Sequence, residues 1–262
     1  MADLHFSDNE SLKEFLNQKV ILFNSKTFIE SDPIAIPHQF SEKYDIEISG
    51  LITATLAWGN RKSIQKSAIK FMTLMDFKPY DFLLNHSSQE LKMLEKFVHR
   101  TFNGADALFF VESLKNIYKN RGGLEEVFAE GFQQSQTIFG AINHFRDIFF
   151  EVEHLQRSQK HISNPAGGSA AKRLNMFLRW MVRNDNMGVD FGLWKSIPTE
   201  KLMIPLDVHS GRMARKFYLL NRKANDWKAV EELTLNLRKL CPTDPIKYDF
   251  ALFGMGAQGE SF

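Results

Sequence analysis

Cysteine is almost missing from this chain, since Cys241 is the only one among 262 residues. A single cysteine excludes an intrachain disulfide framework, a Cys-x-x-Cys zinc or redox site and a four-cysteine iron–sulfur cluster. No apolar run approaches the roughly 20 residues that cross a bilayer. The opening residues, Met-Ala-Asp-Leu-His-Phe-Ser-Asp, contain neither the basic nor the apolar region of a secretory signal. We therefore expect a cytoplasmic protein with no membrane partner.

Glycine and proline are also sparse and scattered, which excludes a collagen-like chain, while 44% hydrophobic residues exclude a disordered one. Sustained apolar–polar alternation, the pattern of a half-buried strand, is missing as well. Apolar residues instead recur at helical spacing along most of the chain, interrupted only by short breaks such as Arg-Gly-Gly at 121–123 and Asn-Pro-Ala-Gly-Gly at 164–168. These patterns predict a compact all-α protein.

A strong net charge is lacking too, because 33 basic and 31 acidic residues leave only +2. The distribution is nevertheless uneven. No acid occurs from residue 157 to residue 183, a stretch with six lysines and arginines, and a second basic cluster spans residues 212–223. Such clusters are compatible with a solvated face as well as with an anionic partner. The choice of partner therefore has to be inferred from a site.

The most informative stretch is a glycine turn that leads into an amphipathic helix beginning near Lys172. Five apolar residues recur on one face and predict its buried stripe: Leu174, Phe177, Leu178, Met181 and Val182. Backbone N–H groups from Gly168 to Lys172 can hold an anion at the helix start. The helix dipole and the adjacent Arg173 favour the neutral, nucleophilic amine of Lys172. An ordinary solvent-facing lysine fits the same spacing.

A second stretch runs from Ile204 to Phe217, where Pro205 marks a turn and a helix is predicted to begin near Val208. Asp207 then stands at the N-cap, and capping is a sufficient reason for an aspartate at this position. His209 is compatible with a hydrogen-bonded residue of the first turn. The residues predicted to point inward from this segment are Met213, Phe217 and Leu220.

Together these stretches resemble the helix-hairpin-helix / Gly-Pro-Asp superfamily of DNA glycosylases. Its members carry a Gly-hydrophobic-Gly-x-Lys hairpin, a helix, and then Val/Leu-Asp-x-His-x-x-Arg at the start of a later helix. Here Gly168-Ser-Ala-Ala-Lys172 stands in the hairpin position, residues 172–179 resemble the Lys-to-Phe-Leu-Arg helix of the 8-oxoguanine branch, and residues 206–212 match the Asp signature. Residues 46–70 resemble the family's opening helix–turn–helix. The nearest relatives suggested are an uncharacterised bacterial group, Domain of Unknown Function 2400.

The resemblance implies a bilobal, all-α glycosylase-like fold with a helix-hairpin-helix at the junction of the lobes. Residues 46–185 would form a six-helix-barrel-like lobe that includes the hairpin, at about 160–183. Residues 1–45 and 186–262 would form a second lobe from both termini. Residues 241–254 resemble the family's closing core helix without the cluster-binding cysteines of some members.

The function implied is base excision: the protein removes a damaged base, such as an oxidised purine, and also has abasic-site (AP) lyase activity. The implied substrate is double-stranded DNA with an extruded nucleotide, and the implied oligomeric state is a monomer. Lys172 would form a Schiff base, and Asp207 would assist it. The residues implied to contact DNA are Gly167, Gly168, Ser169, Ala170, Arg173, Arg179, Arg183, His209 and Arg212. The candidates for the base pocket are Trp58, Asn60, Arg61 and Trp194, and either tryptophan is equally compatible with core packing.

Three features depart from the family pattern. Ala170 replaces the second hairpin glycine, residues 184–203 lengthen the spacer between the lysine and the aspartate, and the cluster cysteines are missing. We expect no cofactor and no iron–sulfur cluster, and leave a monovalent or divalent cation at the hairpin open. The alternative function is a non-catalytic helix-hairpin-helix protein that binds DNA or RNA, with Lys172 contacting phosphate.

Overall fold

The computed structural model describes residues 8–258 and confirms the predicted all-α fold. The α-helices are α1 (Asn9–Phe23), α2 (Lys26–Ser31), α3 (Lys43–Leu56), α4 (Arg61–Leu74), α5 (Pro79–Asn85), α6 (Ser88–Leu94), α7 (Gly104–Asn120), α8 (Leu124–Ser135), α9 (Ile138–Phe149), α10 (Lys172–Val182), α11 (Val208–Lys216), α12 (Trp227–Leu240) and α13 (Tyr248–Gln258). Short 3-10 helices lie at Pro33–Ala35, Pro37–Gln39, Gln156–His161, Thr199–Lys201 and Pro245–Lys247.

The sheet content of the described residues is one antiparallel pair, β1 (Val98–His99) and β2 (Phe102–Asn103). Val98 pairs with Asn103 and His99 with Phe102. Strands of two residues are too short for the alternating pattern to be visible in the sequence. No helix among residues 8–258 is long and apolar enough to cross a membrane.

The chain divides into two compact units. Of the described residues, 8–28 and 165–258 belong to the terminal unit, and 29–164 belong to the central unit. This division differs from the predicted one, which placed residues 165–185 with the central lobe and residues 29–45 with the termini. The physical reason lies in α10, whose arginines form ion pairs with aspartates that lie beyond residue 185.

The terminal unit is built around α13, which packs against α1 and α11. A packed helix therefore lies where the sequence predicted one, and its correspondence to the closing helix of the glycosylases stays a prediction. Two glycines of α13 permit the close approach. A Cβ on Gly254 would lie 2.4 Å from the Phe23 ring of α1, and one on Gly256 would lie 2.8 Å from the backbone oxygen of His209 in α11.

The central unit has an aromatic core between α7, α8 and α9. Phe128 and Phe145 stack with their ring centroids 4.4 Å apart, and Phe149 meets Phe110 edge-on at 4.9 Å. Asp106, buried at the start of α7, accepts hydrogen bonds from the Arg157 guanidinium and from Ser158. The segment between α9 and α10 contains the 3-10 helix Gln156–His161 and no α-helix. The helix-hairpin-helix stays a prediction.

Candidate active site

Lys172 is the first residue of α10, where the preceding backbone is unusual. The N-cap residue, Ala171, adopts a left-handed conformation with φ 46° and makes no side-chain cap hydrogen bond. Gly168 has φ 88°, a region that glycine enters without steric cost. The Trp227 amide donates to the Gly168 carbonyl at 3.1 Å, which ties the turn to the start of α12. The turn therefore fixes the position of Lys172 at the start of α10.

The predicted anion site at this turn needs a correction, because two of its N–H groups already have partners. The Gly168 amide donates to the Pro165 carbonyl at 2.8 Å, and the Ala171 amide donates to Ser169 Oγ at 3.2 Å. Ala170 is buried, and its carbonyl accepts from the Asn175 side chain at 3.1 Å. Two of the N–H donors predicted for an anion are therefore used within the turn itself, which helical spacing alone does not reveal.

Asp207 is the N-cap of α11, as predicted, and forms a complete capping box. Its Oδ1 accepts from the amides of His209 and Ser210 at 2.8 and 2.9 Å, and the Ser210 hydroxyl accepts from the Asp207 amide at 2.9 Å. These contacts hold the carboxylate with Oδ1 toward the helix. The other oxygen, Oδ2, is left for a different partner.

That partner is Lys172. Its Nζ lies 3.4 Å from Asp207 Oδ2, although the two residues are 35 positions apart in the chain. The side chains are 30% and 18% exposed, so the pair is accessible from solvent. Nζ also lies 5.7 Å from the centroid of the Phe253 ring on α13. An amine and a carboxylate in this position can exchange a proton while remaining open to a substrate.

A second carboxylate, Asp249 of α13, lies buried next to this pair. Burial raises the pKa of Asp249 to about 6, Asp207 acts in the same direction, and the charges of Arg179 and Lys172 oppose the rise. The Arg179 guanidinium donates directly to Asp249. The sequence analysis did not single out Asp249. The signal that could have done so is an acid that directly precedes the apolar run Phe-Ala-Leu-Phe at residues 250–253.

Arg179 and Arg183 do not reach a phosphate, which corrects their predicted role in DNA contact. Their side chains are 4% and 2% exposed. Asp190, which is fully buried, bridges them by accepting from Arg179 Nε at 3.1 Å and from Arg183 Nη1 at 3.0 Å. Arg183 also pairs with Asp244 at 2.9 Å, and its acidic neighbours raise its pKa.

His209 and Arg212, by contrast, are exposed at the start of α11. His209 Nδ1 lies 3.0 Å from the Gly256 carbonyl, and Arg212 Nη2 donates to the same oxygen at 2.9 Å. Gly167, Gly168 and Ser169 are exposed as well. Arg173 is partly covered, and burial lowers its pKa.

The comparisons with known proteins can now be set beside this geometry. Residues 32–258 match the family model described as "Protein of unknown function (DUF2400)". The chain belongs to the DUF2400 family. No curated protein and no solved structure matches it.

The base-pocket candidates of this DUF2400 protein need one correction. Trp194 is 1% exposed and packs edge-on against Phe177 of α10, with centroids 5.4 Å apart, so it belongs to the core of the terminal unit. Tryptophan side chains usually pack in the core, where the large apolar area that the ring buries stabilises the folded state.

The other three candidates lie together in the central unit. The Arg100 guanidinium lies over the Trp58 ring, 5.2 Å from the ring centroid. The His99 ring contacts the Trp58 ring edge-on. Asn60 is the N-cap of α4, with Oδ1 accepting from the amides of Lys62 and Ser63. Arg61 begins that helix. Each has a local structural role, and a contact with a base stays a prediction.

Within residues 8–258 no three His, Cys, Asp or Glu side chains converge as a metal ion would require. The expected lack of a cofactor and the open question of a cation at the hairpin stay predictions.

Proposed function

We propose that this DUF2400 protein is a DNA base-excision glycosylase with AP lyase activity. It removes a damaged base, such as an oxidised purine, from a nucleotide extruded from duplex DNA. The observation that carries the proposal is the 3.4 Å approach of Lys172 Nζ to Asp207 Oδ2 in a solvent-accessible position. The supporting argument is the resemblance of residues 168–172 and 206–212 to the lysine and aspartate motifs of the glycosylase superfamily.

The chemistry needs an amine that can lose a proton and a carboxylate that faces positive charge. The neutral Lys172 amine attacks C1′ of the extruded nucleotide, and the electron pair of the C1′–N bond leaves with the base, which takes up a proton. Asp207 accepts the proton that the amine loses and stabilises the charge that develops on the sugar. The sugar ring opens as O4′ takes the proton held by Asp207, which gives the Schiff base. Transfer of a C2′ proton to the same carboxylate then forms a C2′–C3′ double bond, breaks the C3′–O bond and releases the 3′ strand segment with its phosphate.

The capping box holds Asp207 in an orientation that suits proton transfer and stabilisation of the charge on the sugar. Oδ1 is held by two backbone amides, so Oδ2 keeps one direction without support from the substrate. Asp249 is a buried acid that interacts electrostatically with both members of the pair. DNA contact then falls to the exposed or partly exposed residues of the predicted set, which are Gly167, Gly168, Ser169, Arg173, His209 and Arg212.

Borohydride trapping on DNA with an abasic site or 8-oxoguanine tests the proposal. Lys172→Arg keeps the positive charge but cannot form the Schiff base, so we expect DNA binding without an adduct. Asp207→Asn keeps an N-cap side chain that accepts hydrogen bonds and removes the carboxylate, so the expected loss is about 10²- to 10⁴-fold in the rate of adduct formation. Lys201→Gln, at an exposed position of the terminal unit, is the matched control and should trap like the wild type.

A non-catalytic DNA- or RNA-binding protein predicts a different pattern. Lys172→Gln would then weaken binding modestly and reduce its salt dependence, and the wild type would form no adduct. Wild-type protein that binds DNA but gives no adduct on either substrate would refute the glycosylase proposal in favour of this alternative.

A further inference from the structure

An open basic groove lies beside the Lys172–Asp207 pair in the terminal unit. It has a volume of about 670 Å³ and is lined by Val208, Arg212, Arg215, Lys216, Lys223 and Asn225. Four of these six residues are cationic, and none is acidic. Asn225 Nδ2 donates to the backbone carbonyl of Asp207 at 3.0 Å, so one lining residue of the groove is hydrogen-bonded to the residue that supplies the carboxylate in the proposed function.

The groove is built by Arg215. Its guanidinium donates to the carbonyls of Arg222 and Lys223 at 2.7 to 2.9 Å and to Asn225 Oδ1 at 2.7 Å. One side chain of α11 therefore fixes the loop that supplies the opposite wall. Because these donors are already used, Arg215 positions the wall, while Lys216 and Lys223 are the residues that can meet a ligand.

Nearby acids do not neutralise those two lysines. Asp226 pairs with Arg222, with Oδ1 accepting from Nε at 2.6 Å, and Glu232 accepts from the amides of Asn221 and Arg222. Over residues 8–258 neither Lys216 nor Lys223 forms an ion pair within 4.0 Å of an acid. A wall with uncompensated positive charge recognises a repeated anion such as a phosphodiester backbone.

An exposed aromatic residue follows the groove residue Lys216 closely in the chain. Tyr218 lies two residues beyond Lys216, and its side chain is 74% exposed, whereas its neighbour Phe217 points inward and meets Phe15 at 5.8 Å. Tyr218 has φ 55°, and the Leu219 amide donates to the Ala214 carbonyl at 2.9 Å, which is the geometry in which a helix usually ends on glycine. A tyrosine at this position is strained and contributes little to packing, so folding alone does not explain it.

We propose that the basic groove binds the phosphodiester backbone of an unpaired nucleic-acid strand, with Tyr218 stacking on one of its bases. Phosphate-binding cations beside an exposed ring are the combination that holds single strands without reading their sequence. The proposal rests on the proposed function, because the strand would continue from the nucleotide at Lys172 into the groove.

The first test measures the salt dependence of binding. We would titrate a labelled single strand of about 16 nucleotides and the matching duplex against the wild type and the Lys216→Gln/Lys223→Gln variant. The matched control is Lys13→Gln/Lys239→Gln, which removes the same charge from other helices of the terminal unit. Each phosphate contact contributes about 0.7 to the salt slope of a single strand, so the groove variant should lose about 1.4 and bind roughly 25-fold more weakly at 0.1 M salt. The control should match the wild type.

The second test separates stacking from charge. Tyr218→Phe should bind the single strand like the wild type, whereas Tyr218→Gly should bind it about 5- to 100-fold more weakly. Glycine also relieves the left-handed strain, so the thermal midpoint of Tyr218→Gly should stay level or rise. Weaker binding with undiminished stability is a result that a merely structural tyrosine cannot give.

The outcomes distinguish this inference from the proposed function. An equal effect of the groove and control variants on single-strand binding, a larger loss of affinity for the duplex than for the single strand in the groove variant, or equal binding to anionic vesicles would overturn the inference. The yield of borohydride adduct at saturating DNA should be unchanged in the groove variant. A second outcome is that neither the wild type nor any variant gives an adduct, while the salt slope of single-strand binding still differs between the wild type and the groove variant. That result would support the groove and refute the glycosylase proposal.

Discussion

We expect the terminal unit to lose stability when the ion pairs of the buried Arg183 are removed. The Arg183 side chain is 2% exposed and spans Asp190, which is fully buried, and Asp244, at 3.0 and 2.9 Å. Arg183→Met keeps much of the side-chain volume but leaves Asp190 with Arg179 alone. Breaking one side of a buried ion pair costs about 3–5 kcal/mol. That is a large share of the 5–15 kcal/mol by which domains are usually stable.

Urea denaturation followed by tryptophan fluorescence measures this loss. Trp180, Trp194 and Trp227 all lie in the terminal unit and only Trp58 lies in the central one, so the signal reports mainly on the unit that contains Arg183. Arg222→Met is the matched control. It breaks an ion pair that is shorter but exposed to solvent, and should change the midpoint little. A loss below about 1 kcal/mol for Arg183→Met would refute the structural role.

Three further outcomes are expected. Because burial raises the pKa of Asp249 from 3.8 to about 6, its ionisation destabilises the fold, and the stability it contributes is complete below about pH 4 and is lost as the pH rises through 6. Asp249→Asn should remove that slope, and an unchanged difference between variant and wild type from pH 4 to pH 7 would contradict the assignment. Trp194→Ala should cost about 3–5 kcal/mol in urea unfolding because the ring is core, and a stable variant with altered choice of base would restore the pocket role. Gly168→Ala and Gly188→Ala both place a Cβ in open space at positive φ, so each should cost about 1 kcal/mol by backbone strain, whereas only the change at the Lys172 turn should slow adduct formation.

The helices that carry the pair were predictable from the sequence. The stripe from Leu174 to Val182 is buried in α10, and α11 begins at Val208 behind the Asp207 cap. Both depend on local patterns, helical spacing and N-cap chemistry, which act over a few residues.

The burial of the α10 arginines and their ion pairs were not predictable in the same way. Arg179 and Arg183 look like a basic face when residues 157–183 are considered alone, and the acids that neutralise them follow at Asp190, Asp244 and Asp249. A charge pattern within one helix does not show which distant carboxylates fold onto it. The same limit applies to Trp194, because its burial against Phe177 is a tertiary contact.

The central claim is that the Lys172 amine becomes covalently bound to the sugar of a damaged nucleotide. Reduction of the wild-type protein with borohydride on abasic DNA, followed by digestion and mass spectrometry, locates that bond directly. We predict one modified peptide, with the added mass on Lys172. An adduct on a different lysine, or unmodified Lys172 after saturation with abasic DNA, would contradict it.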